Sequence, residues 1–164
     1  MDKRTALIGG SSAGIGKAIA LGFLKKGIDV VITGRSSRIN DAKMELQNEF
    51  PGAGIHAIPT DYSSAEDIHK LIQSLKDLSI SPDILVLNSG GPNPGTFEDV
   101  SIEDWDKNYQ QQFKSSMLLL KAFIPEMQKK NWGRIINISS TIAIEPTAGM
   151  ILSASFRAML INAL

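Results

Sequence analysis

The sequence predicts an α/β fold built on a doubly wound parallel sheet. Short aliphatic or β-branched runs recur along the chain, and helical patterns fill the intervals between them. Strict β–α alternation calls for right-handed crossovers, which set parallel strands side by side with helices on both faces. A glycine-rich turn, Gly9-Gly10-Ser11-Ser12-Ala13-Gly14-Ile15-Gly16, joins the first run to the first helix.

Taken in order, the first strand is expected at Thr5–Ile8 and the first helix at Ile15–Lys26. A strand at Asp29–Thr33 and a helix at Asn40–Phe50 follow, then a strand at Ile55–Ile58 and a helix at Ser64–Leu78. Ser63 with Glu66 forms a capping-box pattern at that third helix, each partner satisfying an unpaired backbone N–H. The fourth strand is Ile84–Leu87, and a long helix over Ile102–Lys129 opens on a similar pair, Ser101 with Asp104. The fifth strand is Arg134–Ile138, and the run from Ser155 to Leu164 reads as a helix without a stop signal. The near-continuous apolar character of these strands suits burial on both faces.

The long helix carries Trp105, Tyr109, Phe113, Met117, Leu120 and Met127 at roughly helical spacing. Such a stripe is expected to pack on the sheet, with a subunit contact as the sharper alternative. Pro125 is expected to kink the helix or to end its regular part.

At 164 residues the chain is expected to form one domain, residues 1–164, with a single core. Zero formal net charge and the lack of a basic stripe argue against nucleic acid as a partner. The absence of cysteine excludes disulfides, thiolate catalysis and cysteine-ligated metals together. His56 and His69 fall in unrelated elements, so no metal site is predicted. The longest apolar run, around Met117–Leu120, breaks at Lys121 and is too short to span a bilayer. Asp2, Lys3 and Arg4 precede only a few apolar residues, unlike a signal peptide. A soluble, cytoplasmic protein is expected.

A strand, a glycine turn and a helix in that order make a phosphate-binding corner. Glycines turn tightly and let the backbone approach a pyrophosphate, and the helix N-terminus offers unpaired N–H groups. A nucleoside-triphosphate P-loop is excluded, because Ser11 stands where its first glycine belongs and Ala18 follows Gly16-Lys17. What remains is a wider spacing, Gly10 to Gly14 to Gly16, with Ser11, Ser12 and Ile15 between and beside them. The plainer reading is an ordinary turn; the sharper one is the dinucleotide corner of a Rossmann-type sheet.

In such sheets the ligand lies beyond the carboxyl ends of the strands, where strand order reverses. After the second strand come Arg35 and Ser36, where NAD sites usually carry a carboxylate for the ribose 2′-hydroxyl. An arginine there suits a 2′-phosphate, which favours NADP over NAD; the alternative is a solvated surface arginine. Asp61 and Tyr62 follow the third strand, Asn88-Ser89-Gly90 the fourth, and Ser139-Ser140 the fifth.

Together these residues resemble the short-chain dehydrogenase/reductase family over nearly the whole chain. Gly10, Gly14 and Gly16 fit its glycine motif, with Gly9 in place of a usual threonine. Asp61 fits the acidic residue that binds adenine in that family, and Leu87-Asn88-Ser89-Gly90 fits its Asn-Asn-Ala-Gly segment with substitutions. The stretch Gly133 to Ser140 fits the one ending at the catalytic serine. The resemblance implies hydride transfer between a nicotinamide and a carbonyl or alcohol substrate, and a homo-oligomer is expected.

The catalytic positions depart from that pattern. The family uses a tyrosine acid/base, a lysine four residues later, a serine and an asparagine. Ser140 matches the serine, but Ser153 stands at the tyrosine position, Arg157 at the lysine and Gln112 at the asparagine. Tyr62 and Tyr109 both precede Ser140, so no small slip restores the tyrosine. A serine hydroxyl is a far weaker acid than a tyrosine, and Arg157 keeps its proton at ordinary pH. Arg157 can still hold ribose hydroxyls or an oxyanion. Glu145 is an alternative acid if desolvated; an exposed loop residue is the plainer reading. The loop Gly90-Gly91-Pro92-Asn93-Pro94-Gly95 is expected to border the nicotinamide end. Relatives of this family continue past such a point, so the chain is expected to lack the last C-terminal elements, leaving the fifth strand at a sheet edge.

Three functions are compatible with this reading. They are an NADP-dependent oxidoreductase, a nucleotide-binding homologue without redox chemistry, and a structural subunit pairing with an active partner.

Overall fold

The computed structural model describes residues 3–164, so Asp2 of the N-terminal charged group lies outside the described residues. Five parallel strands form one sheet: β1 (Thr5–Ile8), β2 (Asp29–Gly34), β3 (Ile55–Pro59), β4 (Ile84–Leu87) and β5 (Arg134–Asn137). Their order is β3-β2-β1-β4-β5, so the chain steps outward from β1, then returns to its other side. The register aligns Leu7 with Val31 on one flank and with Leu85 on the other. The reversal of strand order therefore falls between β1 and β4.

Alternation along each strand feeds two separate cores. Leu7, Val31, Leu85 and Leu87 point to one face and pack beneath α3 (Ala65–Asp77) and α5 (Ser115–Lys129). Ala6, Ile8, Val30, Ile32 and Val86 point to the other, beneath α1 (Gly14–Leu24) and α2 (Arg38–Glu49). The α3 face is Ile68, Leu71, Ile72 and Leu75, the i, i+3, i+4, i+7 set that one side of a helix presents. These strands are covered on both faces as expected. β5 is not: it closes one edge of the sheet, and Arg134 to Ile136 are exposed.

The cap of α3 is a correction. Ser64, not Ser63, accepts the N–H of Asp67 at 3.1 Å. Ser63 is captured instead by Asp61, whose Oδ1 accepts both its backbone N–H and its hydroxyl. The Ser101–Asp104 capping box forms as expected at α4 (Ile102–Asn108).

The long helix divides. After α4 a π turn runs over Tyr109–Lys114 before α5 begins at Ser115. Its break in regularity lies there, and α5 continues through Pro125 to Lys129. The aromatic stripe divides too. Trp105 meets Phe156 of α6 (Ile151–Ala163) edge-on at 5.6 Å, and Tyr109 meets it at 6.3 Å. Leu120 and Met127 join the core on the sheet.

Candidate functional site

The ends of β1 to β4 converge at the switch point on a cleft of about 190 Å³, lined by Gly10, Ser12, Arg35, Asp61, Asn88 and Gln111. Tyr62, Ser89 and Gly90 also line it, together with Gly34 and Thr60. Eight residues singled out in the sequence thus meet in one place.

The corner itself is set by close approach. Gly10 and Gly14 have φ of +52° and +56°, a region that residues with a Cβ enter at a cost. A Cβ at Gly16 would lie 2.4 Å from the Gly10 carbonyl oxygen, so α1 can start against the turn only without one. The first turn of α1 has no side-chain cap and no acidic residue, whereas α3 and α4 each carry a serine cap and two acids there. Its unpaired N–H groups and the positive end of its dipole are left for an external anion.

Not every predicted residue faces the cleft. Ser11 is fully buried; its hydroxyl donates to the Ile8 carbonyl at 2.8 Å and accepts the Thr33 N–H at 2.9 Å, stapling β1 to β2. Ile15 and Ser36 are exposed beside the corner. Tyr62 turns its hydroxyl into the core, 3.0 Å from Thr33 Oγ1, and burial pushes its phenol up to about 12. Arg35 is exposed and also lines a second, polar cavity of about 400 Å³ with Pro92, Asn93, Lys107 and Asn108. The Gly90–Gly95 loop forms part of that cavity and is pinned at its far end: Gly95 pairs with Met150, and its N–H donates to the Gly149 carbonyl at 2.6 Å.

Gln111 had no signal in the sequence. Its Nε2 donates to the Ser89 carbonyl at 2.7 Å, and it lines both cavities. The π turn carries it next to Gln112, and only the position of Gln112 could be counted from a motif.

Of the catalytic positions, Gln112 and Arg157 line one small void of about 20 Å³ behind Ser89 and Gly90. Gln112 is buried and its amide nitrogen has no partner. Arg157 donates through Nη1 to the Ile138 carbonyl at 2.8 Å, at the end of β5, and through Nε to Ser153 Oγ at 3.2 Å. Burial lowers its pKa. Ser140 does not line this void; it is exposed and caps a short 3₁₀ turn over Thr141–Ala143. Glu145 is exposed. The void holds about one water, and Gln112 would be satisfied by it.

The short chain dehydrogenase family model matches residues 4–159. The chain belongs to this family. Among relatives of this short chain dehydrogenase, the NADPH-dependent reductase BacG of Bacillus subtilis is 32% identical over 164 residues, 99% of this chain and 63% of its own. The L-sorbose reductase of Gluconobacter frateurii, solved with NADPH and L-sorbose, superposes with a TM-score of 0.93 at 27% identity, covering 99% of this chain and 62% of that one. The NADPH-bound short chain oxidoreductase of Pseudomonas aeruginosa PAO1, which contains an atypical catalytic center, superposes at 0.89 with 27% identity, covering 98% and 63%. The chain spans 60 to 65% of the length of the first curated relatives it matches. Among the described residues no helix is long and apolar enough to cross a membrane.

Proposed function

We propose that this short chain dehydrogenase is an NADP-dependent oxidoreductase acting on a carbonyl or alcohol substrate. The observation that carries the reading is the uncapped, acid-free start of α1 at a corner that shares its cleft with Arg35 and Asp61. In this reading the Gly10–Gly16 corner, with Ser12 and Ile15, holds the pyrophosphate, Ser11 braces the corner from beneath, and Arg35 with Ser36 holds the 2′-phosphate. Asp61 and the backbone at Tyr62 flank the adenine, with the Tyr62 ring turned into the core, and Asn88, Ser89 and Gly90 support the adjoining ribose. An NADPH-dependent relative and an NADPH-bound one support the preference for the phosphorylated cofactor.

The bound nicotinamide would supply the hydride. The chain's own residues handle the oxygen that becomes an alkoxide. Arg157, held at two points, keeps a permanent positive charge near the end of β5 and cannot release its proton to the product. Ser153 accepts from Arg157, so its own hydrogen is free to donate to an oxyanion. Ser140 is the second hydroxyl donor, and Gln112 orders a water behind the site. The proton itself comes from solvent, since no side chain at these positions is a competent acid.

A second reading rests on the same absence of a tyrosine: a nucleotide-binding homologue with a sensing or structural role. Absorbance at the NADPH band separates the two when the protein is given a broad panel of ketones and aldehydes. Oxidation of NADPH with any member supports the oxidoreductase. Tight binding of NADPH with no turnover across the panel supports the second reading.

A further inference from the structure

A buried polar chain runs beneath the glycine corner. Thr33 Oγ1 lies 3.0 Å from the Ile8 carbonyl, which can only accept, so the single Thr33 hydroxyl hydrogen goes there. The Tyr62 hydroxyl, 3.0 Å from Thr33 Oγ1, must then donate to it. Gly9 sits over this chain. Its N–H donates to the Val86 carbonyl at 3.0 Å, and its carbonyl accepts from Asn88 Nδ2 at 3.0 Å. A Cβ at Gly9 would lie 2.3 Å from the Asn88 carbonyl oxygen and 3.1 Å from the Tyr62 hydroxyl.

We propose that Tyr62 is a positioning residue for the dinucleotide site: its hydroxyl, fixed by Thr33, stands beside the Asn88 carbonyl on the side of Gly9 where a Cβ would go, and backs the Gly9–Asn88 contact that carries the corner. The proposal rests on the NADPH reading above. Burial keeps the phenol protonated, so the hydroxyl remains a donor throughout the working pH range. Tyr62 lies in the apolar cluster of Ile68 and Leu71, and its ring is held there independently of its hydroxyl.

Calorimetric titration with NADPH tests this on four forms of the chain: unmodified, Tyr62→Phe, Gly9→Ala and the double substitution. Tyr62→Phe keeps the ring and removes the hydroxyl, and its NADPH affinity is expected to fall about fivefold to tenfold, the effect of one lost hydrogen bond. Gly9→Ala is expected to weaken binding less in the Tyr62→Phe background than in the unmodified chain, because the contact with the Tyr62 hydroxyl is gone while those with the Asn88 carbonyl remain. Ile68→Val, a change in the same cluster away from the corner, is expected to lower the melting temperature and leave NADPH affinity unchanged. Unchanged affinity in Tyr62→Phe, equal loss in Ile68→Val, or strictly additive effects at positions 9 and 62 would each overturn the proposal. If the unmodified chain bound neither NADPH nor NADH, the dinucleotide reading itself would fail and this proposal with it.

Discussion

Arg157 donates to Ser153 across one turn of α6, with Nε 3.2 Å from the serine Oγ. A second arm of the same guanidinium reaches the Ile138 carbonyl at 2.8 Å, so α6 is tied to the end of β5 through one side chain. Lysine lacks this planar fork, whose Nε and Nη1 reach the two partners from separate, fixed positions. Arg157→Lys is therefore expected to lower the carbonyl reduction rate of the protein at least tenfold. Steady-state kinetics with NADPH check this; a rate within twofold of the unmodified protein would show that the two-point grip is dispensable.

Glycines at the corner differ in what they tolerate. Gly16→Ala forces a methyl to within 2.4 Å of the Gly10 carbonyl oxygen and is expected to cost about 1–3 kcal/mol, as overpacking does, together with nucleotide affinity. Gly14→Ala meets nothing within 4 Å and carries only the strain of its φ of +56°, about 1–2 kcal/mol. Urea denaturation reads the two stability losses, and NADPH titration should give Gly14→Ala near-native affinity per folded molecule and Gly16→Ala a loss of affinity that persists after correction for stability.

The choice of cap at α3 is open to a simple check. Ser64→Ala removes the acceptor for the Asp67 N–H and is expected to cost about 1 kcal/mol in urea denaturation. Ser63→Ala leaves the cap intact and removes one of the two hydrogen bonds that hold Asp61 Oδ1, so its larger effect is expected on NADPH affinity.

Tyr62 makes the fold sensitive to alkali. Its phenol titrates near 12 when folded and near 10 when unfolded, so the folded state holds its proton longer. The contribution is full below pH 10 and is lost as pH rises through 12; a two-unit gap corresponds to about 3 kcal/mol. Tyr62→Phe should flatten this part of the stability curve. An identical alkaline slope in both forms would show that the phenol ionises as freely in the fold as in the unfolded chain.

Much of the architecture was legible in local patterns. The alternation of Ala6, Leu7 and Ile8 between two cores is a period-two signal, and the i, i+3, i+4, i+7 face of α3 is a helical one. Arg35, Asp61 and Asn88 could be placed because they follow strands, and strand ends gather at the switch point. The rest depends on choices that sequence leaves open. Ser63 and Ser64 both precede an acid by three residues, and Asp61 decides between them by capturing Ser63. The π turn over Tyr109–Lys114 leaves no compositional trace, yet it determines that Gln111 reaches Ser89 while Gln112 fills the void beside Arg157. The contact of Gly9 with Asn88 joins strands distant in sequence, and a glycine in a turn carries no label for the neighbour that requires it.

The central claim is a 2′-phosphate-preferring dinucleotide cleft, and parallel calorimetric titrations with NADPH and NADH test it most directly. Tighter binding of NADPH, with the preference lost in Arg35→Asp, is the predicted result. Equal affinity for the two cofactors, or a preference for NADPH that survives Arg35→Asp, would contradict it.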